Sequence, residues 1–262
     1  REFRVSMVNL EDKVVVVTGG AQGIGRAIVT DCAAAGADVV IADIDIEAAK
    51  KTAGEISAAS GRQVVAIETD ITSGRSVADL GSSVKEEFGK VDVLVNNAGW
   101  DKFAFFMETT PDFWERIIDI NYKGALYMCH AMIPLIKESG GGSIVSIASD
   151  AGRGGSMGES VYAGCKGAII AFSKTLAREH ARDNIRVNVV APGITDTNIL
   201  DGFKADKTGE KIISAIAKSV PLGRRPGKPD EISPAVVFLA SDAARFITGQ
   251  VISVNGGLTM VD

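Results

Sequence analysis

Within the stretch SVYAGCKGAI, residues 160–169, a tyrosine at 162 and a lysine at 166 stand four positions apart among small and apolar residues. On a helix that spacing puts both side chains on one face. A free phenol titrates at about pH 10, too high for efficient proton exchange near neutrality, and a neighbouring ammonium lowers it by favouring the phenolate. Tyr162 and Lys166 are therefore a candidate proton donor and its tuning cation. Hydride delivery to a carbonyl leaves negative charge growing on oxygen, which needs such a donor together with a second hydrogen bond. Taken alone, the spacing equally describes a helix-surface pair, so the partner chemistry has to come from elsewhere in the chain.

A source of hydride is suggested near the N-terminus. The run VVVVTGGAQGIGRAI leads an apolar strand directly into Gly19, Gly23 and Gly25 and then into a helix pattern. A glycine turn in that context lets backbone approach a pyrophosphate, and the helix N-terminus offers free N–H groups and a positive dipole end. The spacing is TGxxxGxG rather than GxGxxG, so the match rests on context. Asp43 closes the second apolar run, where an acidic side chain accepts hydrogen bonds from the adenosine ribose of a dinucleotide. A carboxylate there repels a 2′-phosphate, and no Arg or Lys lies within 18–25 to attract one. NAD is expected rather than NADP.

Seven Val- and Ile-rich runs must carry these groups, beginning at 14, 37, 64, 91, 142, 185 and 250. They are continuous rather than alternating, as in strands covered on both faces, and helical patterns fill the intervals. Strand and helix alternating in this way imply parallel pairing through right-handed crossovers. No linker divides the chain, so residues 7–262 are expected to form one doubly wound α/β domain. Residues 1–6 carry no pattern and are expected to be an expression remnant ahead of Met7. Residues 194–226 are polar, mixed and longer than a usual connection, which predicts a substrate lid.

A net charge of −5 leaves no basic footprint for nucleic acid. Three widely spaced cysteines, Cys32, Cys129 and Cys165, suggest neither a disulfide framework nor a zinc site, and His130 and His180 lack metal-ligand spacing. No metal is expected. No apolar run reaches the roughly 18–20 residues of a membrane span, so a cytoplasmic protein acting on small molecules is expected.

With TGGAQGIG at 18–25, NNAG at 96–99, Ser149, YAGCK at 162–166 and PG at 192–193 in this order, the chain resembles the single-domain short-chain dehydrogenase/reductases. That resemblance implies a Rossmann-type sheet of about seven parallel strands with helices on both faces, in a homotetramer or dimer. It implies catalytic roles for Asn121, Ser149, Tyr162 and Lys166. Ser149 hydrogen-bonds the substrate oxygen, Lys166 also holds the nicotinamide ribose, and Asn121 completes a water-linked proton path. Ser146 competes with Ser149 but lies within the strand run. Cofactor contacts are implied at Gly19, Gln22, Gly23, Ile24, Gly25, Asp43, Asp70, Ile71, Asn97, Gly99, Tyr162, Lys166, Pro192, Ile194 and Thr197, with Thr195 an alternative to the last.

The segments WDKFAFFMETT, DAGRGGSMGES and 194–226 are expected to set substrate choice. Trp100, Phe103, Phe105, Phe106 and Met157 suggest an apolar pocket for a ring or acyl chain. Within the family, NNAGWDKF, SIASDAGR, FSKTLAREHAR and PGITDT look most like dehydrogenases of alicyclic hydroxyacyl-CoA thioesters, with Arg153, Arg224 and Arg225 expected at the coenzyme A phosphates. Two alternatives are a 3-oxoacyl-thioester reductase of fatty-acid synthesis, which in the family ordinarily prefers NADPH, and a catalytically idle dinucleotide-binding subunit.

Overall fold

The seven apolar runs fold into strands β1 Val14–Thr18, β2 Asp38–Asp43, β3 Val64–Glu68, β4 Val93–Asn96, β5 Gly142–Ile147, β6 Ile185–Pro192 and β7 Val251–Val254. The structure is a computed structural model that describes residues 8–197, 200 and 207–261. All strand pairs are parallel, in one sheet ordered β3-β2-β1-β4-β5-β6-β7. Between them run α1 Gly23–Ala34, α2 Ile46–Ser60, α3 Gly74–Phe88, α4 Pro111–Ile118, α5 Gly124–Glu138, α6 Ala151–Gly154, α7 Ser160–Glu179, α8 Lys207–Ser219 and α9 Pro229–Ala240.

The unbroken apolar strands have a simple cause. Successive side chains point to opposite faces, and here both faces are covered. Val15, Val17, Val39 and Ile41 pack with Ile28 and Val29 of α1 and Val236 of α9. Val14, Val16, Val40 and Leu94 pack on the other side with Leu80 of α3 and Met128, Met132 and Ile136 of α5. Each such side chain, fully buried, contributes about 1.5–3 kcal/mol. An exposed face would show up as polar alternation, which these strands lack.

From β1 the chain moves outward through β2 to β3, then crosses back to β4 on the other side of β1. The order reverses at β1/β4, and a crevice opens beyond the carboxyl ends of the strands at such a point. Gly19, Asp43, Asn97, Ser149 and Gly193 all stand at or within two residues of a strand's carboxyl end. One edge of the sheet therefore gathers groups from five distant stretches of sequence. Between α4 and α5 the helix widens into a π turn at Asp119–Lys123, which carries Asn121; such turns are frequent at functional sites.

Candidate active site

The turn between β1 and α1 is shaped by lack of room. Gly19 has φ +64°, a left-handed conformation, and a Cβ added there would meet the Ala98 Cα at 3.0 Å. A Cβ on Gly25 would lie 2.0 Å from the Gly19 carbonyl oxygen and 2.6 Å from Asn97 Nδ2. Both positions therefore require glycine. Asn97 locks the turn from the neighbouring strand end: its Nδ2 donates to the carbonyls of Thr18 at 2.9 Å and Gly19 at 3.1 Å. Its backbone N–H donates to Thr18 Oγ1 at 2.9 Å.

Asp43, the last residue of β2, is fixed by two backbone donors. Its Oδ2 accepts from the Ala21 N–H at 3.0 Å and its Oδ1 from the Asp45 N–H at 3.1 Å. Turn and carboxylate open into a cavity of about 1330 Å³ that runs the length of the crevice. Every residue assigned to cofactor contact lines it, from Gly19 through Asp70 and Ile71 to Pro192, Ile194 and Thr197, and so does Thr195. A backbone cradle at a helix N-terminus, a ribose-facing carboxylate and a cavity of this size fit an extended dinucleotide. Among the described residues Lys166 and Arg116 are the basic members of the lining, and neither adjoins the glycine turn.

At the other end of the cavity, Ser149, Tyr162 and Lys166 share one wall. Ser149 lies two residues beyond β5 and hydrogen-bonds the Tyr162 phenol, while its Oγ accepts from the Ala151 N–H at 3.1 Å. Ser146 is buried within the strand and meets Asn96 Nδ2 at 3.5 Å. Lys166 is buried, its Nζ 5.4 Å from the Tyr162 ring centroid and donating to the Ile147 carbonyl at 3.0 Å. Asn121 stands apart from the main cavity. Its Nδ2 donates to the carbonyls of Trp100 at 2.6 Å and Ile117 at 3.0 Å, and it shares with Lys166 a side cavity of about 10 Å³, about the space of one water.

The electrostatics at Tyr162 run opposite to the expectation from spacing. Burial raises the phenol pKa, and the charges of Glu159 and Asp101 raise it further, while only the Ser149 hydrogen bond works against them. Burial lowers the lysine to about 8, which still leaves it mostly charged at pH 7. The i, i+4 spacing brought the pair onto one face but carried no information about desolvation.

Two further expectations are corrected. Of the aromatic group, Trp100 and Met157 line the cavity, whereas Phe103 packs edge-on against Phe105 at 5.4 Å and Phe106 stacks on Trp114 at 5.6 Å, outside it. The apolar wall comes instead from Leu200, Ile212, Ile213 and Ile216. The signal for that wall was the apolar spacing within KIISAIAKS. Arg153, Arg224 and Arg225 are absent from the lining. Arg153 donates to Ser253 Oγ and the Val261 carbonyl, both at 2.7 Å, and Arg225 forms a forked pair with Glu231 at 2.6 and 2.7 Å. Of the expected lid at 194–226, residues 194–197, 200 and 207–226 are described, and α8 supplies three of the four wall residues; 198–199 and 201–206 lie outside the described residues. Sequence reasoning also passed over Asp101 and Glu159, for which no motif gave a sign.

Among the described residues no helix is long and apolar enough to cross a membrane, and no cluster of potential metal ligands occurs.

A family model described as enoyl-(acyl carrier protein) reductase matches residues 19–259. The 3-oxoacyl-[acyl-carrier-protein] reductase FabG of Chlamydia muridarum is 40% identical over 250 residues, which cover 95% of this chain and 98% of that one. FabG of Escherichia coli K12 is 38% identical over 254 residues, covering 97% and 100%. The crystal structure of a candidate short-chain alcohol dehydrogenase from Sinorhizobium meliloti 1021 superposes with a TM-score of 0.89 at 33% identity, over 96% of this chain and 98% of that one.

Proposed function

The chain belongs to the short-chain dehydrogenase/reductase family and is an oxidoreductase, and on that premise we propose that it interconverts a 3-oxoacyl thioester and the corresponding 3-hydroxyacyl thioester with NAD(H). The observation that carries the reading is the convergence of Ser149, Tyr162 and Lys166 on one wall of a cavity whose far end is a dinucleotide cradle. The names of the similar FabG proteins favour a 3-oxoacyl thioester over the alicyclic acyl-CoA suggested by loop sequences. The engagement of Arg153 and Arg225 elsewhere removes the charge argument for coenzyme A. The intact catalytic set speaks against an idle subunit.

Gly19, Gln22, Gly23, Ile24, Gly25, Asp43, Asp70, Ile71, Asn97, Gly99, Pro192, Ile194 and Thr197 would hold the dinucleotide. Bound there, the nicotinamide supplies or accepts the hydride. Ser149 donates a hydrogen bond to the substrate oxygen and orients it. Tyr162 gives that oxygen its proton in reduction and takes it back in oxidation. Lys166, held by the Ile147 carbonyl, faces both the phenol and the side cavity with Asn121, a route by which a water returns the proton. Asp43, anchored by two N–H groups and without a basic neighbour in the turn, supports NAD over NADP. A cytoplasmic homo-oligomer is the assembly we infer from the family.

The test is a spectrophotometric panel: NADH and NADPH, each with 3-oxoacyl groups on acyl carrier protein and on coenzyme A, 2-oxocycloalkane-carboxyl-CoA and simple ketones. The expected result is fastest turnover of a linear 3-oxoacyl thioester with NADH. The Tyr162→Phe variant should lose about 10²–10⁴-fold in turnover while still binding NADH by fluorescence titration. A near-normal rate in that variant would overturn the mechanism.

A further inference from the structure

The loop that carries Ser149 is tied by side chains to the C-terminal segment of the chain. Asp150, the next residue, is buried at 6% exposure. Its two carboxylate oxygens accept from side chains 103 and 105 positions further on: Oδ1 from the Ser253 hydroxyl at 2.8 Å and Oδ2 from Asn255 Nδ2. Arg153 donates through one nitrogen to the Ser253 hydroxyl and through the other to the Val261 carbonyl, both at 2.7 Å. Asn255 engages both ends of its amide: Nδ2 donates also to the Thr259 carbonyl at 2.7 Å, and Oδ1 accepts from the Gly257 N–H at 2.8 Å. Donor meets acceptor at every one of these links.

Both ends of this network reach the site. At one end Asp150 stands between Ser149 and Ala151, whose N–H donates to Ser149 Oγ at 3.1 Å, and its own N–H is held by the Pro192 carbonyl at 2.9 Å. At the other end Leu258 and Thr259 line the main cavity together with Gly155, Ser156 and Met157. Thr259 lies against the serine loop, since a Cβ added at Gly154 would meet Thr259 Cγ2 at 3.6 Å. Asn255 packs against Gly193, where an added Cβ would come within 2.8 Å of the Asn255 Cβ. The same few side chains therefore set the direction of the Ser149 hydroxyl and the position of a wall that a substrate touches. A reacting group keeps its geometry only when the residues behind it are themselves locked, and an error of about 1 Å in placement costs about 10²-fold in rate.

We propose that Asp150 and Arg153 are positioning residues that clip the C-terminal segment 255–261 onto the loop of Ser149, so that Leu258 and Thr259 help select the substrate and the serine is oriented only while that segment is in place. The proposal rests on the carbonyl–alcohol reading of this site. Arg153 acts here as a strut, its forked donors spent on Ser253 and Val261. The two halves of the clip differ in depth: Val261 is 41% exposed, whereas Asp150 is enclosed. Losing the Arg153 half frays the end of the segment. Losing the Asn255 half leaves a buried carboxylate oxygen short of a donor, which is the costlier change.

Asn255→Ala removes a donor from Asp150 and leaves Ser149, Tyr162 and Lys166 in place. In reduction of a linear 3-oxoacyl thioester it should lower kcat by about tenfold to a hundredfold and raise KM, with the dissociation constant of NADH unchanged. Leu258→Ala alters the wall but not the clip, so it should raise KM and leave kcat alone. Arg153→Ala should raise KM with a smaller fall in kcat, and Arg153→Lys, which keeps one donor, should recover part of both. A merely structural role would lower Tm without this split between kcat and KM. Hydrogen–deuterium exchange of the full chain without substrate supplies the second readout. N255A should speed exchange at the Ala151 and Gly152 N–H groups, and R153A should speed it across 255–261; should N255A not fold, the R153A exchange decides the same point. Wild-type kcat in N255A, or faster exchange in R153A confined to its own loop, would overturn the proposal. If no thioester, alcohol or ketone is turned over, the functional reading fails, while the exchange data still decide whether the segment and the serine loop are coupled.

Discussion

The two ends of the cavity are built by different means. At the dinucleotide end the surface is mainly backbone: Gly19 and Gly25 leave no room for a side chain, and Asn97 ties the two strand ends together through three hydrogen bonds. At the substrate end the surface is mainly side chain, with Trp100 from the loop after β4, Met157 from the loop before α7, and Ile212, Ile213 and Ile216 from α8. Arg116 lies over the Trp100 ring at 4.0 Å. Backbone geometry tolerates little substitution. Side chains on loops and on a helix beyond β6 can be exchanged without moving the sheet, so one end fixes the type of reaction and the other selects what undergoes it.

This contrast is tested most severely at Gly25. A methyl group there would sit 2.0 Å from the Gly19 carbonyl oxygen and 2.8 Å from its carbon, and both neighbours are backbone that cannot rotate away. Overpacking of this kind costs about 1–3 kcal/mol, and the strain falls on the turn that receives the pyrophosphate. Gly25→Ala should lower Tm and abolish NADH binding in a fluorescence titration. Normal NADH affinity in this variant would show that the turn is not the rigid member of the comparison.

Asp43 probes the same end through a side chain. A hydrogen bond to a charged group is worth about 1.5–3 kcal/mol, so Asp43→Asn should weaken NADH by roughly tenfold to a hundredfold. Removing the negative charge should at the same time improve NADPH relative to NADH. Because Asn retains one acceptor oxygen, the Ala21 N–H can keep its partner and the turn its shape. Isothermal titrations of both dinucleotides measure the two effects separately. An unchanged ratio would remove the basis for NAD preference.

The difference in construction also explains what could be read from the sequence. Parallel strands covered on both faces leave continuous valine runs, and a turn that requires glycine leaves glycines at fixed spacing, so β1, the turn and Asp43 were legible. Tyr162 and Lys166 were legible as a pair because helical periodicity is local. Their electrostatics were not, since the groups that raise the phenol include Asp101, which lies 61 residues earlier in the chain. The aromatic run WDKFAFF promised a pocket, yet Phe103 and Phe105 satisfy each other. Composition reports that aromatic surface must be buried, but not against what. Arg153 and Arg225 misled for the same reason, their partners Ser253, Val261 and Glu231 being set by tertiary packing.

The smallest expected effects belong to the substrate end, and they show whether the two ends act independently. Ile216 is partly buried on α8 and faces the cavity. Ile216→Val removes one methylene, worth about 0.8 kcal/mol when fully buried, so at most about a fourfold fall in kcat/KM for a long-chain 3-oxoacyl thioester is expected. A short-chain substrate that does not reach α8 should be unaffected, and so should the dissociation constant of NADH. Arg225→Ala serves as the control: its forked pair with Glu231 is exposed and outside the cavity, so KM for either carrier-bound substrate should not move. If Ile216→Val weakened NADH as much as the long-chain substrate, α8 would be part of the dinucleotide cradle, and the division into a backbone-built and a side-chain-built end would no longer hold.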